Sequence, residues 1–479
     1  MSDALLNVYH CLPKWMRSGA ASLHGLHLRS WRFGPETPRL VRELLEREHW
    51  DSAQWHRWQQ ERLAYVLHRA ATRVPYYREQ WAERRRRGDT ASWEYLENWP
   101  VLDKEAARTQ PRTFVADDCD TRRMFYAHTS GTTGTPVDLW RSRSTMRALY
   151  AFSLARTKGW HGIEKHDRWA KLGGQVVTLS SQRQPPFWVW NAALNQLYMS
   201  TYHLAPDLIT HYLDALVQYR ITYLFGYTSS MFALAQEMLR LNRRDIKLKV
   251  VITEAEPLFE HHRRVIAEAF QCPVRETYGM GEIVTAANEC PSGTLHQWPE
   301  IGLVETLENN LPVGKGEFGE FVCTSLLNSD MPLIRYRVGD RGRVTVDQSC
   351  KCGRTLPAVA VVEAGSYDLL ITPDGRRVFG LEDVFFRTPI RQAQIVQEKL
   401  NLIRARYVPA PEFTPESARS IVKAVKARME GVEVILEPVA EIPRAANGKF
   451  WVQVCNVPAA EIESALNGSR DAAGRRNAQ

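Results

Sequence analysis

The chain has 479 residues and a mass of 55.0 kDa, which is too long for one ordinary domain and predicts two or three. Apolar residues make up 44% and charged residues 24%, values typical of soluble globular proteins, so a collagen, a coiled coil or a largely disordered chain is excluded. The formal charge is +8, from 62 basic and 54 acidic residues.

The charge has two interpretations. Only 13 of the 62 basic residues are lysines, which leaves 49 arginines, and this surplus would suit a nucleic-acid partner. Positive and negative residues are interleaved, however, which is typical of a solvated surface, so we expect no nucleic-acid partner.

Neither a membrane span nor a signal peptide is expected. No stretch approaches the ~20 apolar residues of a membrane span, and His10 and Pro13 interrupt the first apolar residues. Eight cysteines are too few for a disulfide scaffold and favour a reducing compartment. The prediction is a cytoplasmic protein without an integral membrane segment, whose oligomeric state stays open.

The first hundred residues are predicted to form a helical lead-in. Apolar residues recur at helical spacing over 39–48 and 54–71, and Val74-Pro75 ends the second helix because proline disfavours helical geometry in the residue before it. From 126 to 362 short apolar runs alternate with helical stretches, which predicts an α/β layered core. The predicted strands are 221–225 and 249–253, and the predicted helices are 229–241 and 260–270.

A compact α+β unit is predicted at the C-terminal end. Its helix, 415–429, has Thr414 as N-cap and proline at its first position. Its strands are 368–372, 393–398, 402–408 and 432–436, with a turn at Pro373-Asp374-Gly375. The predicted division is therefore a large α/β domain over 1–367, a small α+β domain over 368–460 and a disordered tail over 461–479.

The most informative segment is rich in glycine and hydroxyl groups. It reads His128-Thr129-Ser130-Gly131-Thr132-Thr133-Gly134-Thr135-Pro136-Val137. Backbone N–H groups in such a loop are free to face an anion, and the hydroxyls add donors. No Gly-Lys-Ser/Thr follows, so this is not a Walker A loop, and composition alone is equally compatible with a surface turn.

A resemblance favours the phosphate-binding interpretation. Thr129-Ser130-Gly131-Thr132-Thr133-Gly134 resembles the signature loop of the adenylate-forming (acyl-activating) superfamily. Four later stretches resemble, in order, its adenine- and magnesium-binding motif, a glycine-containing strand start, its ribose-binding motif and its C-terminal lysine motif. They are Glu276-Thr277-Tyr278-Gly279-Met280-Gly281-Glu282, Glu317-Phe318-Gly319-Glu320, Arg337-Val338-Gly339-Asp340 and Pro443-Arg444-Ala445-Ala446-Asn447-Gly448-Lys449.

Further stretches narrow the resemblance to the phenylacetate–CoA ligase family and, within it, to the CapK-type branch of capsule biosynthesis. These are Val74-Pro75-Tyr76-Tyr77-Arg78-Glu79, Pro100-Val101-Leu102-Asp103-Lys104-Glu105, Cys350-Lys351-Cys352-Gly353-Arg354 and residues 442–450. The likeness covers roughly residues 60 to 455. It implies a large N-terminal AMP-binding domain with layered sheets and a small, mobile C-terminal cap.

The resemblance also implies a two-step, ATP-dependent ligase reaction. A carboxylic acid, such as an aromatic one, reacts with ATP to form an acyl-adenylate. A thiol such as coenzyme A, an amine or a hydroxyl then displaces AMP. Because an anion attacks an anion in the first step, positive charge and preorganised donors are needed around the phosphates.

The resemblance assigns roles to individual residues. Lys449 would bridge the carboxylate and the α-phosphate, Glu282 would hold Mg²⁺, Tyr278 would stack on adenine and Asp340 would accept both ribose hydroxyls. Asp368 would be the hinge. The whole predicted nucleotide-binding set is Thr129, Ser130, Gly131, Thr132, Thr133, Gly134, Glu276, Thr277, Tyr278, Gly279 and Asp340.

Three positions depart from the family pattern. Thr135 stands where lysine is frequent, Gly281 where threonine is common, and Gly365 where the hinge motif has arginine. These departures leave open an alternative, a member of the fold that binds nucleotide without acyl transfer.

The substrate is less well defined. Aromatic residues placed to line an acyl pocket suit an aromatic or apolar acid, although such residues equally form ordinary core. They are Trp188, Trp190, Tyr198, Tyr202 and Tyr227.

Cysteine and histidine spacing predicts a structural zinc site. Cys290 and His296 lie six residues apart, and Cys350 and Cys352 follow about 54 residues later. Three thiols and an imidazole suit tetrahedral Zn²⁺, although ordinary reduced cysteines remain the alternative. The other five cysteines are interpreted as packing residues; they are Cys11, Cys119, Cys272, Cys323 and Cys455.

Overall fold

The structure is a computed structural model. It describes residues 8–129, 137–175, 177–179, 182, 184–204, 208–314, 316–345, 350–364, 370–373, 377–378, 381–385, 388–443, 451–458, 460–462 and 464–465. Its contacts divide the chain into two compact units. The first is Met1–Val338 with Gly342–Ala360, and the second is Gly339–Arg341 with Val361–Gln479.

The described α-helices follow the apolar periodicity of the sequence. They are α1 Lys14–Arg32, α2 Thr37–Arg47, α3 Ser52–Arg73, α4 Pro75–Arg86, α5 Lys104–Thr109, α6 Arg143–Phe152, α7 Ile209–Gln218, α8 Thr228–Arg240, α9 Glu260–Phe270 and α10 Pro415–Arg428. A π-helix, Ser153–Lys158, continues α6. Short 3₁₀ helices are Leu96–Asn98, Pro111–Phe114, Thr121–Arg123, Gly159–His161, Ala192–Leu194 and Leu381–Phe385.

The described strands form one large sheet and three smaller ones. They are β1 Phe125–His128, β2 Asp138–Arg141, β3 Trp169–Gly173, β4 Trp188–Asn191, β5 Gln196–Ser200, β6 Tyr223–Tyr227, β7 Val250–Glu254, β8 Val274–Gly279, β9 Ala286–Glu289, β10 Leu295–Gln297, β11 Gly302–Glu308, β12 Leu311–Pro312, β13 Gly319–Ser325, β14 Tyr336–Thr345, β15 Ala358–Ala364, β16 Leu370–Ile371, β17 Arg377–Val378, β18 Ile390–Lys399, β19 Leu402–Pro409, β20 Glu433–Pro438 and β21 Gln453–Cys455.

The large sheet has the order β12-β11-β13-β14-β15-β10-β9-β8-β7-β6-β3-β5-β4. Strands β5, β3, β6, β7 and β8 are parallel neighbours, so their carboxyl ends lie at one edge, the edge at which ligands bind in such sheets. One face of these strands packs with α7, α8 and α9 in a core that includes Leu172, Leu224 and Val251. The predicted α/β fold class is confirmed.

The N-terminal helices confirm the predicted helical character of this region. Helices α2 and α3 coincide with the predicted segments to within two residues at each end. Asp51 caps α3 by accepting a hydrogen bond from the Gln54 N–H at 2.8 Å, and Val74 ends that helix as expected. Pro75 then begins α4, which follows from its suitability for the first helical position.

A buried ion network joins these helices to the rest of the first unit. The Arg156 guanidinium, which is fully buried in the π-helix, donates to both oxygens of Glu300 at 2.9 Å and to Glu48 at 3.3 Å. Glu48 also accepts from Trp160 Nε1 at 2.9 Å and from Arg354 Nε at 2.7 Å. Three separate chain segments therefore meet at one carboxylate.

The second unit contains a four-stranded sheet in the order β20-β19-β18-β21. Strands β18 and β19 are antiparallel, while β20 and β21 pair in parallel at the two edges. Helix α10 is capped by Thr414 as predicted, and Ile421 and Val425 of this helix join the core of the unit. The predicted turn at 373–375 lies partly outside the described residues, as does most of the predicted tail 461–479.

Among the described residues, no helix combines the length and the apolar character that are needed to cross a bilayer.

Candidate active site and metal centre

The predicted nucleotide motif lies at the carboxyl edge of the parallel strands. Glu276, Thr277, Tyr278 and Gly279 are the last four residues of β8. Thr277 Oγ1 donates to the backbone oxygen of Thr253 on β7 at 2.8 Å, which fixes the end of β8 against its neighbour. The motif therefore stands at the edge of the sheet that suits a ligand.

The base of the hydroxyl-rich loop is next to this motif. Strands β1 and β2 are antiparallel, and Thr129 follows β1 directly. The Thr129 N–H donates to the Val137 oxygen at 3.0 Å, and Thr129 Oγ1 accepts from the Val137 N–H at 2.9 Å. A Cβ at Gly281 would lie 3.3 Å from Thr129 Cγ2. The base of the hydroxyl-rich loop therefore lies beside the predicted adenine- and magnesium-binding motif.

Glu282 is the buried carboxylate of this site, with 5% of its side chain exposed. The Tyr336 hydroxyl donates to Glu282 Oε1 at 2.9 Å, and Lys104 Nζ lies 3.3 Å from the same oxygen. Burial and the neighbouring Glu282 carboxylate raise the pKa of Tyr336, so its hydroxyl stays a donor. The Arg141 guanidinium donates to the Gly281 carbonyl oxygen and holds the preceding peptide.

Two of these partners, Lys104 and Tyr336, received no role in the sequence analysis. Lys104 lies in the Pro100–Glu105 stretch that carries the family resemblance, and Tyr336 directly precedes the ribose-motif stretch. Their position in motif segments was the available signal, but a contact with Glu282 is a long-range property that local pattern does not contain.

Glu276 is electrostatically unusual. Burial, together with the nearby Glu289 carboxylate, raises the pKa of Glu276 to about 7, and Arg263 opposes that shift. The Glu276 N–H donates to Glu289 Oε2 at 2.9 Å. Arg263 and Arg275 both donate to Glu289, so that carboxylate is held in place beside Glu276.

The remaining described nucleotide residues are half-buried or exposed. Tyr278 is half-buried, and its ring centroid lies 6.4 Å from that of Phe321 in an edge-on arrangement. Gly279 is exposed at the end of β8. Asp340 is half-buried on β14, in the short stretch 339–341 that groups with the second unit.

Several predicted residues lie outside the described part of the chain. They are Ser130, Gly131, Thr132, Thr133, Gly134, Thr135, Gly365, Asp368 and Lys449.

The aromatic candidates for an acyl pocket do not lie together. Trp188 and Trp190 of β4 pack against the main core, and Trp190 stacks on Tyr219 with ring centroids 5.3 Å apart. Tyr198 and Tyr227 lie on the opposite face of the sheet, on which Lys171 pairs with Glu254 at 2.8 Å. This ion pair was not predicted from the sequence, although a lysine within the short, otherwise uncharged strand β3 was a signal.

The predicted zinc ligands form a compact cluster. The ligand atoms of Cys290, His296, Cys350 and Cys352 all lie within 4.8 Å of one another. Cys290 Sγ is 3.7 Å from Cys350 Sγ, and Cys352 Sγ is 3.4 Å from His296 Nε2. A tetrahedron with ~2.3 Å metal–sulfur and ~2.1 Å metal–nitrogen bonds has edges of ~3.8 and ~3.6 Å, so the spacing fits a single ion.

The surroundings also suit a metal centre. His296 Nδ1 lies 2.9 Å from the Leu356 carbonyl oxygen, a contact that fixes the ring and leaves Nε2 toward the thiols. Burial acts to raise the pKa of Cys350, but its hydrogen bonds with Thr294, Cys352 and His296 outweigh burial and lower the pKa to about 6. The 3.7 Å between Cys290 Sγ and Cys350 Sγ is far longer than an S–S bond, which excludes a disulfide between them.

The other cysteines are of several kinds. Cys272 and Cys323 are buried, as packing residues should be, and Cys119 and Cys455 are half-buried. Cys11 is exposed, so the packing interpretation is wrong for this residue.

Both the C-terminal part of the chain and longer stretches of it are similar to known proteins. Residues 370–456 match the CapK C-terminal domain. Protein CapK of Staphylococcus aureus is 29% identical over 216 residues, which cover 44% of this chain and 46% of CapK. The chain thus spans less than half the length of that relative. A phenylacetate-coenzyme A ligase of Pseudomonas putida is 25% identical over 332 residues, which cover 65% of this chain and 71% of that protein.

A solved structure shows the same fold. The 2-hydroxyisobutyryl-CoA ligase in its postadenylation state, in complex with 2-HIB-AMP, has a TM-score of 0.66 at 19% identity, over 89% of this chain and 94% of that chain. This chain therefore has the fold of the adenylate-forming CoA ligases. Its residues 370–456 match the CapK C-terminal domain, and the chain is similar in sequence to CapK and to phenylacetate–CoA ligases, which confirms the resemblance found in its motifs.

Proposed function

We propose that the protein is an AMP-forming ligase that activates a carboxylic acid with ATP and then transfers the acyl group to a thiol, with coenzyme A as the leading acceptor. One observation carries this proposal most directly. The base of the hydroxyl-rich loop at Thr129 adjoins Gly281, and the next residue, Glu282, is a buried carboxylate oriented by Tyr336. Homology to phenylacetate–CoA ligases and the shared fold support the same chemistry.

In the first step, a carboxylate oxygen of the substrate attacks the α-phosphorus of ATP. The bond from that phosphorus to the pyrophosphate oxygen breaks, which leaves an acyl-adenylate and pyrophosphate. In the second step, the acceptor sulfur attacks the acyl carbon, AMP leaves, and the thiol proton passes to solvent. Amines and hydroxyls are the other acceptor classes compatible with this chemistry.

Within this proposal, each residue has a distinct task. Glu282 would hold Mg²⁺, a hard cation that prefers carboxylate and phosphate oxygens and would supply charge neutralisation when bound. Tyr278 supports the adenine, Asp340 accepts the ribose hydroxyls and Thr129 orders the base of the phosphate loop. Lys449 supplies the positive charge to the reacting carboxylate and phosphate, and Asp368 is the hinge of a C-terminal cap over 368–460.

We further infer that Cys290, His296, Cys350 and Cys352 hold a structural Zn²⁺. Four protein ligands complete a tetrahedron and leave no open position for chemistry, which is typical of structural rather than catalytic zinc. The ion would tie the loop after β9 to the segment before β15, next to the Glu48 network.

ATP–pyrophosphate exchange over a panel of carboxylic acids tests the ligase function. We expect acid-dependent exchange in the wild type, loss of at least ~100-fold in Lys449→Ala, and little change in the control Lys426→Ala, which alters an exposed lysine of α10. Exchange in Lys449→Ala at the wild-type rate would overturn the role of that lysine. Binding of ATP without exchange for any acid would favour the alternative, nucleotide binding without acyl transfer.

A further inference from the structure

A charged pair interrupts two strands of the parallel sheet. Lys171 is the central residue of β3, and Glu254 is the last residue of β7. Lys171 Nζ lies 2.8 Å from Glu254 Oε1 and 5.0 Å from the ring centroid of Phe225, which belongs to β6 between the two strands. The pair therefore spans three adjacent strands near their carboxyl ends.

The pair faces away from the main core. Lys171 pairs with Tyr198 of β5 and with Phe225 of β6, so these side chains share one face of the sheet. The neighbours Ala170 and Leu172 belong to the opposite face, where they join the core with α7, α8 and α9. The side chains of Lys171 and Glu254 are 22% and 25% exposed, so they retain access to solvent or ligand.

The pair is also close to the proposed reaction site. Glu254 follows Thr253, whose register partner on β8 is Glu276. The Thr253 carbonyl oxygen in turn accepts a hydrogen bond from Thr277 Oγ1 of the nucleotide motif at 2.8 Å. After Glu254 the backbone enters a left-handed conformation at Ala255, with a φ of 64°, which is uncommon for a residue with a Cβ.

A second lysine–carboxylate pair, formed by residues just before β7 and β3, has a different pattern of bonds. Lys249 donates to Asp167 at 2.7 Å and to the Gly162 oxygen at 3.1 Å, and Asp167 also accepts from the Glu164 N–H at 2.6 Å. Among the described residues, Lys171 has Glu254 as its single acceptor, and Glu254 Oε2 has no partner. The Lys171–Glu254 pair thus keeps a donor and an acceptor available.

The buried surroundings of Lys171 and Tyr198 favour a ligand that can form hydrogen bonds with them. Burial acts to lower the pKa of Lys171, but the Glu254 carboxylate outweighs it, so the ammonium stays charged. Burial raises the pKa of the Tyr198 hydroxyl, which remains a neutral donor. An apolar ligand against these groups would leave them without hydrogen bonds, which is costly in a desolvated site.

On the basis of the proposed ligase function, we propose that Lys171 and Glu254 recognise a hydroxyl group on the acyl chain of the substrate. The Lys171 ammonium donates a hydrogen bond to the hydroxyl oxygen, and the hydroxyl O–H donates one to the Glu254 carboxylate. A single substrate hydroxyl therefore provides a hydrogen-bonding partner for both residues. A second carboxylate would be repelled by Glu254, and a hydrocarbon would satisfy neither residue. The substrate class is therefore a hydroxylated carboxylic acid.

The experiment measures ATP–pyrophosphate exchange with pairs of acids that differ by one hydroxyl. Suitable pairs are 4-hydroxyphenylacetate with phenylacetate, 4-hydroxybenzoate with benzoate, and 4-hydroxybutyrate with butyrate. The expected result is a preference of at least ~100-fold in kcat/KM for the hydroxylated member of the best pair, because sites built around a hydroxyl strongly reject analogues that lack it.

Two variants and a control separate recognition from folding. Lys171→Met should reduce the preference to ~10-fold or less mainly by slowing the hydroxylated acid, and Glu254→Leu should act in the same direction. Lys249→Met removes the lysine of the second pair and should leave the preference unchanged. Because the preference is a ratio measured in one preparation, a variant that is partly unfolded still reports it.

The outcomes distinguish this inference from the function on which it rests. If the wild type shows no exchange with any acid, the ligase function is overturned, and the hydroxyl inference with it. Exchange in which the apolar members are used as well as the hydroxylated ones would overturn the hydroxyl inference alone. A wild-type preference that persists in Lys171→Met and Glu254→Leu would also overturn it, since the hydroxyl would then be recognised elsewhere.

Discussion

Removing the Arg156 guanidinium should be among the most damaging single changes in the first unit. The substitution Arg156→Met keeps a long, flexible side chain but deletes all three donors that bind Glu300 and Glu48. Both carboxylates are almost fully buried, with 3% and 2% of their side chains exposed. Water therefore has little access to replace the lost hydrogen bonds.

The magnitude follows from the geometry. Breaking a buried ion pair by removing one partner costs ~3–5 kcal/mol, because it leaves an uncompensated charge in the interior. Glu48 keeps Trp160 and Arg354 as donors, whereas Arg156 is the one side-chain donor to Glu300 among the described residues, so most of the cost arises at Glu300. Contacts of the guanidinium with the stacked rings of Phe152 and Trp298 are lost as well.

Urea unfolding followed by tryptophan fluorescence measures this cost, since Trp160 and Trp298 lie beside the network. With a slope of ~3 kcal/mol per molar urea, the expected loss lowers the midpoint of the first transition by ~1–1.7 M. The control is Arg39→Ala, which breaks the exposed pair with Glu43 on α2 and should cost ~0.3–0.5 kcal/mol.

A double substitution tests the assignment to Glu300. In Arg156→Met with Glu300→Leu, the orphaned carboxylate is absent, so part of the stability should return and the two changes should not be additive. If Arg156→Met shifts the midpoint no more than Arg39→Ala does, the network is hydrated and the reasoning from burial is wrong.

Three further outcomes are expected. Purified wild type should contain about one equivalent of zinc by elemental mass spectrometry; Cys350→Ser should lose it and unfold at a lower temperature, whereas Cys272→Ser should keep the metal. Burial raises the pKa of Glu276 to about 7 in the folded state, so its protonated form favours folding at acidic pH, and this contribution is lost as the pH rises through 7. In thermal unfolding, Glu276→Gln should therefore gain stability relative to the wild type between pH 5 and pH 8. A stability difference that stays constant over this range would contradict the assignment. A Cβ at Gly226 would lie 1.9 Å from the Leu172 oxygen of β3, so Gly226→Ala should cost ~3 kcal/mol or more in urea unfolding, while Gly19→Ala, with open space around it, should be neutral or slightly stabilising.

Local periodicity was sufficient to place five of the ten described α-helices of this protein. The predicted helix 260–270 coincides with α9 Glu260–Phe270, and 229–241 is displaced by one residue from α8 Thr228–Arg240. These segments have an apolar face that is buried against the same sheet, so their sequence pattern and their packing agree. Strand ends were displaced by one or two residues, as at β6 Tyr223–Tyr227, because the neighbouring strands determine where pairing stops.

The acyl-pocket residues were harder to predict because the two faces of a sheet alternate along each strand. Trp188 and Trp190 are paired with Met199 and Leu197, and this register turns both tryptophans toward the main core. Tyr198, one position away from those partners, faces Lys171 instead. A pattern of aromatic residues therefore could not distinguish pocket from core without the register.

The metal centre could be predicted from the sequence and the Lys171–Glu254 pair could not, because their residue types differ in how selectively they bind partners. Cysteine and histidine are scarce and selective ligands, so two short segments sufficed to predict a cluster whose atoms lie within 4.8 Å of one another. Lysine and glutamate are common on every surface, and their pairing across β3 and β7 depends on strand order alone. A lysine in the middle of a five-residue strand is the feature that separates this pair from a surface contact, because burial in a sheet requires a partner for its charge.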